Sequence, residues 1–249
     1  PGTTAPTSPT ADDPFLWLED VGGEKALGWV RERNAQSEKE LASTDFFREA
    51  QSRILAILDS DARIPFVAKR GEHYYNFWQD AKNPRGLWRR TTLASYRTDE
   101  PQWDVVLDLD ALGKQENENW VWHGATFLHP DYRRCLVSLS RGGADATVTR
   151  EFDVATRRFV DDGFVLPEAK STVAWRDLKS IFVATDFGEG SLTSSGYPRL
   201  AKLWRRGTPL ASATTVAEGQ VSDVSLVARR DQTTGFERDL VHRGITFFT

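Results

Sequence analysis

The sequence predicts a mainly β fold entered through two α-helices, and three observations carry that reading. The first is a change of texture at Ile64-Pro65. Before it, apolar residues recur at helical spacing; after it, short β-type runs alternate with turn residues as far as Thr249. The second is a weak repeat. Strands with aromatic or branched residues open at Pro65-Phe66-Val67, Trp120-Val121-Trp122, Thr172-Val173-Ala174-Trp175 and Asp223-Val224-Ser225-Leu226. Their spacing is roughly 50 residues, with about four strand-like runs in each interval. The third is aromatic content: nine Trp and 14 Phe in 249 residues require a large aromatic interior.

The elements follow in order. Residues 1–13 hold Pro, Thr, Ser and Ala with no larger apolar side chain, too little burial to offset ordering entropy, and read as a flexible lead. Residues 14–58 read as a helical segment. Its opening, Asp13-Pro14-Phe15-Leu16-Trp17-Leu18-Glu19-Asp20, is too apolar to be left in water. A first helix starts at Glu24, with Ala26, Leu27, Val30 and Leu41 set among charges. A second starts near Phe46, with Asp45 as its expected N-cap and Phe46, Phe47, Ala50, Ile54, Ile57 and Leu58 along one face. Each amphipathic face needs a surface to lie against.

Residues 64–249 read as all-β, with no amphipathic helix of ordinary length. Expected strands include Tyr74–Trp78, Cys135–Leu139, Ile181–Thr185 and Ile245–Phe248, and Asp153-Val154-Ala155-Thr156-Arg157 signals a tight hairpin. Four strands per roughly 50 residues is the signature of propeller blades, although an immunoglobulin-like array would also give that spacing. Residues 64–249 supply three to four blades, whereas propellers usually close with four to eight. The sequence also stops inside an apolar run, Phe247-Phe248-Thr249. The expectation is therefore an incomplete propeller, the first part of a longer polypeptide.

Composition narrows the function. The chain is 39% hydrophobic and 27% charged, with a formal net charge of −4 and mean hydropathy of −0.49. No stretch approaches the roughly 18 apolar residues of a membrane span. The charge is too small and too evenly spread to select nucleic acid. A single cysteine, Cys135, excludes an internal disulfide framework and a multi-Cys zinc site. There is no Met, so a start at Pro1-Gly2-Thr3-Thr4 implies removal of a signal peptide, a tag or longer sequence. A Pro/Thr/Ala-rich lead favours a soluble, periplasmic or secreted protein, though cloning would leave the same start.

No residue qualifies as catalytic, and none as a metal or cofactor ligand. No serine satisfies G-x-S-x-G; Ser191, within Gly188-Glu189-Gly190-Ser191-Leu192-Thr193, has Glu189 and Thr193 where glycines are needed. The same stretch fails as a phosphate loop and reads as a connection between strands. His73, His123, His129 and His242 show no spacing that converges on a metal. Asp104, Asp108, Asp110 and Glu116 form an acidic cluster. Its run Asp108–Gly113 lacks the ligands of a calcium loop, with Asn119 at the twelfth position, and reads as a solvated turn. Cys135 lies in an apolar strand, where a thiol is inert. The pairs Arg89-Arg90, Arg157-Arg158, Arg205-Arg206 and Arg229-Arg230 read as solvated turn residues rather than a substrate clamp.

The motif at 13–20, with Ala26-Leu27-Gly28-Trp29-Val30 and Asn34, resembles the opening of prolyl oligopeptidase-family serine peptidases. The likeness continues through Tyr74-Tyr75-Asn76, Ser138–Asp145, Arg150-Glu151-Phe152-Asp153, Thr185-Asp186-Phe187-Gly188, Ser195–Arg199 and Leu203–Leu210. This resemblance implies N-terminal helices that pack on a C-terminal α/β-hydrolase domain of the same polypeptide, and a seven-bladed propeller of four-stranded blades. It implies a Ser-Asp-His triad in the hydrolase domain that cleaves short peptides, usually after proline, with the propeller as lid and size filter. Residues 14–58 would match the helical segment and 64–249 the first three to four blades. The nucleophile elbow and triad would lie beyond Thr249, so no catalytic residue carries over, substrate-binding residues stay unknown, and the segment alone should be inactive. The alternative is a stand-alone, non-catalytic propeller-type binding module. A G-x-S-x-G downstream of Thr249 would favour the peptidase; a stop codon would favour the module.

Overall fold

The computed structural model describes residues 13–246 and 248. The expected lead lies outside them except for Asp13, as do Phe247 and Thr249. The chain forms two compact units, Pro1–Ser60 and Asp61–Thr249.

In the first unit a 3-10 turn, Leu16–Glu19, precedes helix α1 (Glu24–Ser37), one π turn (Glu38–Ala42) and helix α2 (Asp45–Leu58). The apolar opening motif is used locally. Trp17 meets Trp29 of α1 edge-on at 6.3 Å, and the Lys25 ammonium sits 4.4 Å over the Trp17 ring. The N-cap of α2 is Thr44, not Asp45: Thr44 has extended backbone and its Oγ1 accepts the Phe47 N–H at 3.2 Å. Asp45 is instead the first helical residue, where it pairs with Arg48 at 2.6 Å and its charge faces the positive helix end. Both residue types cap well; the backbone, not the side chain, decides between neighbours. The α2 residues Phe46, Ile54, Leu55, Ile57 and Leu58 are all exposed.

The second unit is four antiparallel sheets in chain order. The first holds β1 (Ala68–Arg70), β2 (His73–Trp78), β3 (Leu87–Thr92) and β4 (Asp104–Asp108), paired in that order. A short helix, α3 (Leu93–Tyr96), links β3 to β4, and α4 (Leu109–Glu116) follows β4. The second sheet contains β5 (Trp120–Phe127), β6 (Arg134–Arg141), β7 (Thr147–Asp153), β8 (Arg158–Phe159) and β9 (Val165–Ala169), with both β8 and β9 on β7. The third runs β10 (Thr172–Asp177), β11 (Ser180–Ala184), β12 (Leu200–Arg205) and β13 (Thr214–Glu218). The hairpin of β14 (Ser225–Asp231) and β15 (Arg238–Gly244) makes the fourth.

The roughly 50-residue repeat marks sheet starts. Trp122, Trp175 and Leu226 lie in β5, β10 and β14, each the first strand of its sheet. Phe66 does not: it is 90% exposed and two residues short of β1, and the Asn76 side-chain amide donates to its carbonyl at 2.8 Å. The Asp153–Arg157 signal is a hairpin turn. Asp153 and Arg158 pair across it, and the Asp153 carboxylate accepts the Ala155 and Thr156 N–H groups at 2.9 and 3.1 Å.

Pleating explains how the sheets stack. Successive side chains of a strand point to opposite faces, and both faces of the middle sheets are covered. Cys135, Val137 and Leu139 of β6 pack with Tyr75, Trp88 and Leu109, whereas their neighbour Leu136 packs with Phe164, Trp175 and Trp204. In β11, Ile181 and Val183 join that second cluster, and Phe182 and Ala184 turn to Leu226 and Ala228 of β14. Each fully buried Leu, Ile or Phe contributes about 1.5–3 kcal/mol. Three apolar layers therefore tie four sheets face to face.

Two further segments of this unit differ from expectation. The Asp108–Gly113 run is not a turn but the start of α4, an eight-residue helix in a region read as all-β. Asp108 caps it, accepting the Ala111 N–H at 2.9 Å; Asn117, at φ 54°, ends it; and Leu109 and Leu112 are buried. Two turns with one i, i+3 apolar pair are too short to display a helical period. The last strand is also shifted. β15 is the charged run Arg238–Gly244, and the described residues of the expected strand Ile245–Phe248 lie outside it. Pairing of Arg230 with Asp239 and of Asp231 with Arg238 supports a strand that has little apolar alternation.

Candidate functional site

The residues that sequence chemistry brings forward are mostly consumed by the fold. Ser191 is buried; its Oγ accepts the Phe187 N–H at 2.9 Å and lies 2.6 Å from the Gly188 carbonyl, so it braces the β11–β12 connection. Cys135 is fully buried, and burial beside Glu151 and Asp153 pushes its thiol far above the ordinary range. Among the described residues no three His, Cys, Asp or Glu side chains converge on a point that could hold a metal. His73 is half-buried, and burial together with Arg90 lowers its affinity for a proton; His123 and His242 are exposed.

The acidic cluster is dispersed into separate structural contacts. Asp104 bridges Arg90 at 3.0 Å and Arg157 at 2.5 Å, tying the first sheet to the second. Asp110 accepts the Arg85 and Gly86 N–H groups at 3.1 and 3.2 Å, and Glu116 binds Arg150 at 2.8 Å and the Trp120 indole N–H at 2.7 Å. The arginine pairs are likewise not simply solvated turns. Arg90, Arg157, Arg206 and Arg230 each hold a carboxylate of the fold. Such partners are far apart in sequence, which is why doublets alone do not disclose them.

One arginine differs from these. Arg89 of β3 lies between two indoles, its Cζ 4.3 Å from the Trp78 ring centre and 4.2 Å from that of Trp103. Its Nε donates to the Asn76 side-chain oxygen at 2.9 Å. Asn76 and Trp78 sit on β2, opposite and diagonal to Arg89 in the register, and Trp103 immediately precedes β4. Two neighbouring strands and the residue leading into a third thus assemble the group at the first sheet. Burial depresses the Arg89 guanidinium to about 10, partly offset by the Asp80 charge, so it remains a cation at neutral pH. Asp80 itself is held by the Trp78 indole N–H at 2.9 Å and the Asn83 N–H at 2.8 Å. A cavity of about 510 Å³ opens beside Arg89, with Pro65, Tyr96, Trp78 and Trp103 among its walls. Sequence offers no signal for it beyond the Trp and Arg content, because its members come from β2, β3 and the residue before β4.

A second cavity of about 580 Å³ lies beside α4, β4 and the hairpin turn before β8, near Leu112, Phe152 and Phe159. Of its charged groups, Arg157 pairs with Asp104, Glu116 with Arg150, and Asp108 caps α4.

Comparison with known proteins places this architecture. The model of the family described as prolyl oligopeptidase, N-terminal beta-propeller domain, matches residues 4–235. The chain is 42% identical over 245 residues to an uncharacterized peptidase of Sinorhizobium fredii, covering 97% of this chain and 34% of that protein. It is 32% identical over 210 residues to an uncharacterized peptidase of Rickettsia prowazekii, covering 81% of this chain and 29% of the relative. A solved structure of a post-proline cleaving enzyme from Rickettsia typhi superposes with a TM-score of 0.85 at 29% identity, over 93% of this chain and 35% of that one. The chain spans about a third of the length of these relatives. Its antiparallel sheets, the family match and the close superposition agree: the chain belongs to the prolyl oligopeptidase family, as the N-terminal β-propeller domain of such peptidases.

Proposed function

We propose that this chain is the lid and size filter of a serine peptidase that hydrolyses short peptides, often after proline. The observation that carries the reading is the match to the propeller domain over 4–235 in relatives about three times as long. Under this reading residues 64–249 form the first three to four blades of a seven-bladed propeller, and residues 14–58 pack on a C-terminal α/β-hydrolase domain. The exposed apolar residues of α2, Phe46, Ile54, Ile57 and Leu58 among them, supply the surface for that packing. Acyl transfer by a Ser-His-Asp triad with an oxyanion hole belongs to the hydrolase domain. The propeller excludes folded proteins from the site and encloses small substrates away from bulk water.

A fluorophosphonate probe, which labels activated serines, tests the division of labour. In the longest polypeptide encoded by the reading frame, the expected result is one labelled serine outside residues 1–249. Labelling within 1–249, or no labelling at all, would overturn it.

A further inference from the structure

We propose that Arg89 is one half of the ion pair that locks the propeller ring, and that the sheet covering it, supplied by the polypeptide beyond residue 249, carries the matching carboxylate. The markers of the roughly 50-residue repeat locate this seam. Trp122 of β5 packs on Phe77 and Trp88 of the first sheet, at 5.3 and 5.1 Å between ring centres. Trp175 of β10 packs with Leu136 of the second sheet, and Leu226 of β14 with Phe182 and Ala184 of the third. Each marker faces the sheet before its own. Phe66, the first marker, has no earlier sheet among the described residues and is 90% exposed. Its carbonyl is held by Asn76, which shares a face of the first sheet with Trp78 and Arg89.

The three seams between the described sheets show what this face lacks. Each is crossed by an arginine–carboxylate pair: Arg157 with Asp104 at 2.5 Å, Arg206 with Glu151 at 2.9 Å, and Arg176 with Asp239 at 2.8 Å. In the first two the arginine belongs to the later sheet and reaches back to the earlier one, which is the direction Arg89 faces. Arg89 makes no ion pair among the described residues; its Nε donates to Asn76, and Trp78 and Trp103 pack on its guanidinium. Arg63 lies 4.7 Å over the Trp78 ring as well, so the face presents a second guanidinium. Asp80 is occupied by the Trp78 indole and the Lys82 and Asn83 N–H groups, and Asp61 and Asp99 are exposed on the cavity lining. A sheet laid over this face takes Arg89 out of water, and a buried cation without a counter-charge is strongly destabilising. The covering sheet therefore needs a carboxylate there, and the planar fork of Arg89, ordered between two indoles, suits a two-pronged pair. Relatives about three times as long supply the chain for that sheet. This inference rests on the propeller reading and adds to it the residue that locks the ring.

Photo-crosslinking of the longest encoded polypeptide tests the seam. Benzoylphenylalanine replaces Phe66 in one variant and, in a second, Val105, which pairs with Arg89 across β3 and β4. Both positions are expected to crosslink within the same polypeptide, to one segment beyond residue 249 that holds an Asp or Glu. Neutralising that acid should couple to Arg89→Gln: each single variant lowers the urea midpoint, and the double variant lowers it by less than the two losses added. Crosslinks confined to residues 1–249, crosslinks to a second copy, or none at all would overturn the proposal, as would a covering segment without an acid or losses that simply add. If Arg89→Gln fails to fold, the crosslinked segment decides alone. A fluorophosphonate-labelled serine beside a failed crosslink sinks only the seam; the expected crosslink without any labelled serine sinks only the peptidase reading.

Discussion

Arg206 and Glu151 form a two-pronged ion pair between neighbouring sheets. Arg206, just past β12 of the third sheet, places Nη1 2.9 Å and Nη2 3.0 Å from the carboxylate oxygens of Glu151 on β7 of the second. The Glu151 side chain is inaccessible to solvent, and it also accepts the Phe164 N–H at 3.1 Å and meets Arg134 at 3.5 Å. The pair joins the two sheets beside their shared apolar layer, with the Arg206 guanidinium 4.7 Å over the Phe164 ring. Removing one partner leaves the other charge buried and underpaired, which typically costs about 3–5 kcal/mol. Arg206→Ala should therefore lower the urea midpoint strongly. An effect below about 1 kcal/mol, the ordinary range for a surface ion pair, would mean that Glu151 is satisfied without Arg206.

The Asp108 cap gives a smaller, local prediction. Asp108→Ala removes the acceptor for the Ala111 N–H at the start of α4. The expected loss is about 1 kcal/mol, and Asp108→Asn or Asp108→Ser should restore most of it. Chemical denaturation of the three variants checks this order.

Acid sensitivity follows from two carboxylates. Burial acts to raise Asp153, but hydrogen bonds from the Thr156 and Ala155 N–H groups and from Arg133 outweigh it and hold the group below the usual carboxylate range. Asp239 behaves alike, with Arg176 and Arg230 overcoming its burial. A depressed folded-state value stabilises the fold above the unfolded value of about 3.9 and loses that contribution as pH falls through the folded value. Unfolding free energy should thus be flat in these groups near neutrality and fall below about pH 4. Asp153→Asn should reduce the slope there, as read from urea midpoints across pH.

Cys135 should report global opening. Its thiol is fully buried between β7 and the first sheet, and its ionisation is strongly suppressed. Native protein should resist thiol reagents, with a labelling rate that tracks unfolding. Rapid stoichiometric labelling under native conditions would show that the second sheet opens independently.

The sheets were legible because their signals are local. Cys135–Leu139 and Ile181–Thr185 are continuous apolar runs, as strands covered on both faces must be, and they became β6 and β11. The elements that escaped are those decided elsewhere. Helix α4 has only two turns and takes its identity from Asp108 and from the burial of Leu109 and Leu112. β15 is held by pairs to Arg176, Arg230 and Asp231 rather than by alternation. The Arg89 site joins β2, β3 and the residue before β4, and no spacing rule in one strand anticipates that meeting. The family likeness, by contrast, ran the length of the chain in short motifs and needed no tertiary knowledge.

The proposed filter role is read out by the size of the substrates that are cleaved. The most direct measurement compares hydrolysis, by the longest encoded polypeptide, of a short proline-containing peptide and of the same cleavage sequence carried in a loop of a folded protein. Cleavage of the peptide, sensitive to a serine-directed inhibitor, is expected, with little or none of the folded carrier. Equal cleavage of both, or no inhibitor-sensitive hydrolysis of the peptide, would contradict it.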